Sequence, residues 1–324
     1  MDKNIKISVV GTGKIVNEVL PLITRDDMHY TITSVYAYRN VDNARCLAEA
    51  FDIEKVYTDY DELLCDDTAD FIYIANVNTA HYEYALKALE SGRNVIVEKP
   101  LCTCYDDAYR LIDTAQKNHC YIFEAVSLLY NPVYDEIADA LKKIGKISMV
   151  TANYSQLSSR YKMYCDHVVA PAFDPELAGG ALMDLNVYNI NFLVGLFGRP
   201  DASSYFPRLG YNGVDLAGAA VLKYTDFPAV CCSAKDSDAP SGAVIQGDVG
   251  YITVDSPVSV LACAKIYIDG KLDKVIDAPV GSHRLEFEFK KIRDIYMRGD
   301  YDAMIAKSNI SLWVMEILES LRKS

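Results

Sequence analysis

From residue 5 to about residue 124, short apolar runs alternate with amphipathic stretches long enough to be helices. That rhythm is the signature of a parallel sheet wrapped by crossover helices. It predicts strands over 5–10, 31–38, 71–74, 94–97 and 121–123, and helices over 43–51, 60–64, 80–91 and 105–117. Gly92 and Asn118 stand where helix C-caps belong. After residue 125 the rhythm changes. A helix over 132–143 leads to a strand over 146–154, a long loop and an apolar helix near 181–196. Strands over 217–224, 229–235, 243–246, 251–254 and 263–268 then follow across Gly, Pro or Asp turns, which implies antiparallel pairing. A helical pair over 285–298 and 308–323 ends the chain.

The expected fold class is α/β in two domains. A doubly wound parallel sheet occupies 1–124, and an α+β domain with a large, mostly antiparallel open sheet occupies 125–324, its last helices free to pack back on the first domain. A length of 324 residues, 51% of them hydrophobic, supplies two cores. The net charge of -13 and pI near 4.8 oppose a nucleic-acid or anionic-membrane partner, which needs clustered Lys and Arg. Nine cysteines form neither a disulfide framework nor ligand pairs, so most are expected to be buried thiols and no metal is expected. Met1-Asp2-Lys3-Asn4 lead into the first strand without the apolar stretch of a signal peptide. No window reaches the roughly 18 apolar residues of a spanning helix, and a cytoplasmic location is expected.

The first strand runs into Gly11-Thr12-Gly13-Lys14-Ile15-Val16, a GxG turn between strand and helix. Glycines there allow a tight turn and close backbone approach, while free amides and the helix dipole attract a pyrophosphate. The third fingerprint position holds Val16, and Pro21 is expected to interrupt the helix. The context is that of a Rossmann dinucleotide-binding domain. The second strand ends Ala37-Tyr38-Arg39-Asn40, without the acid that accepts from an NAD ribose. Arg39 is suited to pairing with a 2′-phosphate and stacking on adenine, so NADP(H) is favoured and NAD(H) is the alternative. Taken alone, Arg39 also fits a solvated helix start.

Asn94-Val95-Ile96-Val97-Glu98-Lys99-Pro100 is a strand that ends in two charges at the edge where ligands of parallel sheets bind. With the GxG turn, Asn76 and Asn78 before His81, Asn131-Pro132, Gly145-Lys146-Ile147 and the run from Phe173 to Asp184, it makes the chain similar to one family throughout. The chain resembles the Gfo/Idh/MocA oxidoreductases, named for glucose-fructose oxidoreductase, inositol dehydrogenase and MocA. Tyr188, where many members carry His, places it with a subgroup resembling dihydrodiol and xylose dehydrogenases.

The resemblance implies a dehydrogenase or reductase acting on CH–OH groups. Its substrate would be a sugar, polyol or dihydrodiol, with Lys99, Asp184 and Tyr188 catalytic. Gly11, Thr12, Gly13, Lys14, Ile15, Arg39, Asn76, Asn78, His81, Glu98 and Lys99 would line the cofactor. Asp184 and Tyr188, four residues apart, share one face of a helix. Tyr188 is suited to accept the hydroxyl proton if a nearby Lys99 cation lowers its pKa from about 10. Alternatively Lys99 is itself the acid/base. Asp184 would orient Lys99 or a substrate hydroxyl. Glu98 would hold the nicotinamide ribose or carboxamide, or pair with a cation. His81 would lie near the nicotinamide, or serve as a helix cap or surface residue. Arg160, Tyr161, Tyr164 and His167 in the long loop are candidates for substrate selection.

Two departures concern the substrate: Leu129 stands where an Arg is common, and Asn186 where Gly is common, so a bulkier side chain is expected to narrow or re-aim the pocket. A non-catalytic NAD(P) sensor, and a lyase or glycosidase that recycles its cofactor, are the competing functions. The open sheet face implies a homodimer or larger closed assembly.

Overall fold

The computed structural model describes residues 4–323, so Met1, Asp2 and Lys3, on which the leader reading partly rests, lie outside the described residues. The chain divides into two compact units. One runs to Ala125 and resumes over Leu285–Leu312; the other comprises Val126–Arg284 and the chain from Trp313 onward.

The first unit holds a parallel sheet of β1 (Ile5–Val10), β2 (Tyr30–Tyr36), β3 (Lys55–Tyr57), β4 (Phe71–Ile74), β5 (Asn94–Glu98) and β6 (Ile122–Ala125), in the order β3-β2-β1-β4-β5-β6. The crossovers carry α1 (Lys14–Ile23), α2 (Val41–Ala50), α3 (Tyr60–Cys65), α4 (His81–Glu90) and α5 (Tyr105–Lys117). Every residue of β4 and β6 is buried, as a sheet covered on both faces requires. Strand order reverses between β1 and β4, the switch point at whose carboxyl ends such sheets bind their ligands. The hydrophobic pattern missed β3 because a three-residue edge strand is too short to show a period. Pro21 does not interrupt α1 as expected: it sits in the last turn, where one backbone bond is forfeited, and the helix continues to Ile23.

The second unit begins with α6 (Pro132–Ala140), β7 (Ile147–Ser155) and α7 (Tyr161–Cys165). A π-helical turn over Leu182–Asn186 precedes α8 (Val187–Phe197). Next come β8 (Ala202–Leu209), β9 (Asp215–Lys223), β10 (Pro228–Ala234), β11 (Gly242–Gly247), β12 (Gly250–Val254), β13 (Cys263–Ile268) and β14 (Lys271–Asp277). They form one eight-stranded sheet, β14-β13-β12-β11-β7-β10-β9-β8. All neighbours are antiparallel except β7 and β10, which are parallel because the chain between them crosses over through α8. Pattern reading missed β8 and β14, the two edges, since neither shows a sustained apolar alternation.

Within this unit α6 packs on β13 and β14, and α8 on β7 and β10. On the opposite face Thr151, Val221, Val230, Cys232, Val244 and Thr253 are only half-buried. The long loop has a core of its own, Tyr164 and Phe173 against Val214 and Leu216, which makes Tyr164 a packing residue rather than a free selector of substrate.

The last helices are α9 (Arg284–Met297) and α10 (Tyr301–Lys323). α9 belongs to the first unit, where the Tyr30 hydroxyl donates to the Phe289 carbonyl at 2.6 Å and Arg25 pairs with Glu286 at 2.9 Å. Among the described residues no helix is long and apolar enough to cross a membrane.

Candidate active site

β1 delivers Gly11 to the switch point with φ +120°, a conformation that side chains resist. A Cβ on Gly11 would stand 2.6 Å from the Ala75 carbonyl oxygen, so only glycine lets these two loops meet. Its N–H donates to the Tyr36 carbonyl at 3.0 Å. Gly13 caps α1 without a side-chain acceptor, no acid occupies the first turn, and the space beside Gly13 is open. The exposed helix amides are therefore left for an anion. Thr12 and Ile15 line the turn half-buried, whereas Lys14 is solvated and reaches Glu18 at 3.5 Å. Val16, the departure from the fingerprint, is buried and packs the helix.

At the end of β2, Tyr38 is 70% exposed and the Arg39 guanidinium lies 5.8 Å from its ring centre. The nearby acid Asp59 is engaged as the cap of α3, accepting from the N–H groups of Asp61 and Glu62. A free amide cradle with an exposed Tyr–Arg pair at its flank fits the diphosphate and adenosine ends of a dinucleotide phosphate.

β5 presents Lys99. Between Val95 and Cys102 every residue is buried except Lys99. Glu98 is turned inward, accepting from the Tyr73 hydroxyl at 2.5 Å, a partner that sequence reasoning did not foresee. His81 is not the helix cap or surface residue that was one expectation for it. It is fully buried, its Nδ1–H donates to the Pro100 carbonyl at 2.8 Å, and its Nε2 lies 3.3 Å from the Asn76 carbonyl. The ring thus ties the loop after β4 to the turn after β5 and is neither a surface residue nor the cap of α4. Burial pushes its pKa down, with a smaller contribution from the Lys99 charge, against two carbonyl hydrogen bonds. Asn76 and Asn78 are half-buried, and the Asn76 Oδ1 has no hydrogen-bond partner. Behind Lys99 is Glu124, which accepts from the Leu101 N–H at 2.8 Å. Burial pushes the Glu124 carboxyl up, against hydrogen bonds from Ser311 and Leu101 and the charge of Lys99.

In the second unit, every residue from Ala181 to Val194 is buried except Asp184 and Tyr188. The expected simple helix face is altered by the π turn, an irregularity frequent at functional sites. Gly180, at φ +115°, makes room for the Asp215 carboxylate, which accepts from the Leu182 N–H and the Tyr205 hydroxyl, each at 2.6 Å. Burial pushes the Asp215 carboxyl up, against those hydrogen bonds and the Lys235 charge. The Tyr188 ring lies 6.0 Å from that of Tyr154 on β7.

Asp184 pairs at 2.7 Å with the ammonium of Lys235, a buried residue directly after β10. Sequence reasoning missed both Lys235 and Asp215. A signal for Lys235 existed, because Ala229, Cys231, Ser233 and Lys235 occupy alternate positions of the expected strand, and the first three are buried. Of the two effects expected of Asn186, its own side chain does not narrow a pocket. It is fully buried against the sheet, donating to the Cys231 carbonyl at 2.9 Å. Leu129 is likewise buried.

Residues 5–126 match the family model described as an oxidoreductase family with an NAD-binding Rossmann fold, and residues 138–253 match its C-terminal domain. The chain is also 30% identical over 319 residues to scyllo-inositol 2-dehydrogenase (NADP(+)) IolU of Bacillus subtilis, covering 98% of this chain and 96% of the relative. This protein belongs to the Gfo/Idh/MocA oxidoreductase family. A trans-1,2-dihydrobenzene-1,2-diol dehydrogenase of Xenopus tropicalis is 28% identical over 328 residues, 97% of this chain and 96% of that one. The fold matches the 3-ketoreductase KijD10 of Actinomadura kijaniata, solved with NADP and TDP-benzene, at a TM-score of 0.82 and 22% identity, over 99% of this chain and 97% of that one. As a family member the chain is an oxidoreductase with a Rossmann domain for NAD(P), and the family's two domains account for the parallel and the mostly antiparallel sheet.

Proposed function

We propose that this oxidoreductase is an NADP(H)-preferring dehydrogenase of a sugar, polyol or dihydrodiol, with Lys99, Asp184 and Tyr188 as its reacting and substrate-orienting residues. One observation carries the reading. Each unit buries a long run of residues around its own part of the motif and leaves accessible only the groups this chemistry uses: Lys99 in one, Asp184 and Tyr188 in the other.

Bound NADP(+) supplies a hydride acceptor. The chain must supply everything else. The amides of the Gly11–Gly13 turn would hold the diphosphate, and Arg39 would meet the 2′-phosphate. A base must take the hydroxyl proton, and Tyr188 and Lys99 are the two groups of suitable chemistry. Asp184, a partly exposed carboxylate, would accept from a substrate hydroxyl and so favour polyhydroxylated compounds. The relatives named for scyllo-inositol and a dihydrodiol act on molecules of that class.

The test is absorbance of the reduced nicotinamide with scyllo-inositol, D-xylose and a trans-dihydrodiol, each with NADP(+) and NAD(+). NADP(+) reduction with at least one of them is expected. No net change in nicotinamide with any of them would overturn the reading and favour a sensor or a cofactor-recycling lyase.

The half-buried face of the second sheet, rich in small and β-branched side chains, supports assembly into a homodimer through that face. Sedimentation at micromolar concentration should then show a dimer or larger species. Nine thiol cysteines support a cytoplasmic location.

A further inference from the structure

Lysine is among the residues least often buried, and when buried it is paired. Lys235 is 2% exposed, while its partner Asp184 is 40% exposed. The pair is therefore one-sided, with the cation inside and the carboxylate at the accessible edge. Three groups hold the ammonium: Asp184 Oδ2 at 2.7 Å, the Ala172 carbonyl at 2.7 Å and the face of Phe173, whose ring centre is 4.9 Å away. The backbone of Lys235 is fixed as well. Its N–H donates to the Leu216 carbonyl at 2.7 Å, and its carbonyl accepts from the Ser158 N–H at 2.8 Å. Asp184, by contrast, lies in the π turn and is partly exposed.

We infer that Lys235 is a positioning residue for Asp184, locking that carboxylate in the orientation from which it accepts a substrate hydroxyl. The inference rests on the reading of Asp184 given above. Lys235 touches neither substrate nor cofactor. It acts through Asp184, and its charge is what aims the acceptor, since the ammonium is anchored from three sides before any substrate arrives. Orientation of this kind matters because a misplacement of about 1 Å costs on the order of 100-fold in rate.

The experiment compares Lys235→Met, Asp184→Asn and the double variant, using whichever of scyllo-inositol, D-xylose and the trans-dihydrodiol the native enzyme oxidises fastest with NADP(+). Each single variant is expected to lower kcat/KM by about 100-fold, and the double variant to be no worse than Asp184→Asn, because the two act as one unit. NADPH affinity by fluorescence titration should be unchanged. Lys235→Gln, which keeps a donor for Ala172 but carries no charge, is read in the same way should the Met variant not fold. A native rate in Lys235→Met or Lys235→Gln, with Asp184→Asn impaired, overturns the inference alone. So do losses that multiply in the double variant. A native rate in Asp184→Asn, or no turnover of any of the three compounds by the native enzyme, overturns the underlying reading and the inference with it.

Discussion

The two units expose their proposed functional groups in the same manner and support them in different ways. In the first, Lys99 is placed by what adjoins it in sequence: β5 behind it, Pro100 after it, and His81 clamping the turn from the start of α4, the helix that precedes the strand. In the second, Asp184 sits on an irregular turn and Tyr188 in the first turn of α8, and the supports of that irregular turn, Asp215 and Lys235, arrive 31 and 51 residues after Asp184 and from different strands. A local scaffold is specified by a short motif. A non-local one depends on the whole sheet being formed.

The largest test of this contrast is catalytic. Lys99→Ala should lower kcat/KM by about 1,000-fold, and Tyr188→Phe by about 100-fold or more, within the range for loss of an acid/base group. NADPH affinity should survive both. Equal cofactor weakening in Tyr188→Phe would break the comparison, since it would tie the second unit's tyrosine to the cofactor cradle of the first. Near-native turnover in both variants would remove the assignment of the chemistry.

Two glycines provide the next test. Gly11 and Gly180 both have positive φ, but Gly11 faces a backbone carbonyl that cannot yield, and Gly180 faces the Asp215 side chain. Each alanine variant should cost about 1–3 kcal/mol of backbone strain. Gly11→Ala should lie at the upper end and abolish tight NADPH binding. Gly180→Ala should retain NADPH and lose turnover instead, as the start of the π turn shifts. Thermal unfolding with a fluorescence titration reads both effects, and the reverse pattern would contradict the division of labour.

The same difference explains what was legible in the sequence. Strand–GxG–helix and Glu98-Lys99-Pro100 are short-range patterns, so the parallel sheet and the accessibility of Lys99 followed from them. β3, β8 and β14 were missed because edge strands carry little apolar alternation, and the π turn because a five-residue change of hydrogen-bond register leaves no compositional trace. The burial of His81 was not legible because its ring is satisfied by two carbonyls, and a carbonyl belongs to every residue alike. Lys235 was passed over as the polar end of a strand, although its place in the alternation put it on the covered face.

A smaller effect is expected at Arg39, an element of the cofactor reading that lies on the open surface. Loss of a charge-assisted contact to a 2′-phosphate is worth about 1.5–3 kcal/mol, so Arg39→Ala should raise the KM for NADP(+) by roughly 10- to 100-fold. The KM for NAD(+) should move far less. Equal changes for both cofactors would show that Arg39 serves only as a stacking surface, and a native enzyme that prefers NAD(+) would reverse the assignment.

The smallest effect concerns a second Lys–Asp pair, the mirror of the one in the second unit. Lys55 on β3 meets Asp66 at 2.8 Å, with the lysine 39% exposed and the aspartate side chain 8% exposed. Here the acid is inside and the cation outside, the arrangement of a structural pair that holds an edge strand, and Tyr57 adds a hydrogen bond at 2.8 Å. Burial alone would raise the Asp66 pKa. Hydrogen bonds from Lys55, Thr68 and Tyr57 outweigh it and hold the carboxyl well below the usual carboxylate range. A depressed folded-state pKa adds stability that is present above the unfolded value of about 3.9 and is lost as pH falls through the folded one. Asp66→Asn should therefore cost about 1 kcal/mol near pH 7, because the pair is partly solvated, and should flatten the decline in stability below about pH 4. Turnover at neutral pH should not change. If Asp66→Asn impaired catalysis as severely as Asp184→Asn, the side on which the charge is buried would not distinguish a structural pair from a functional one.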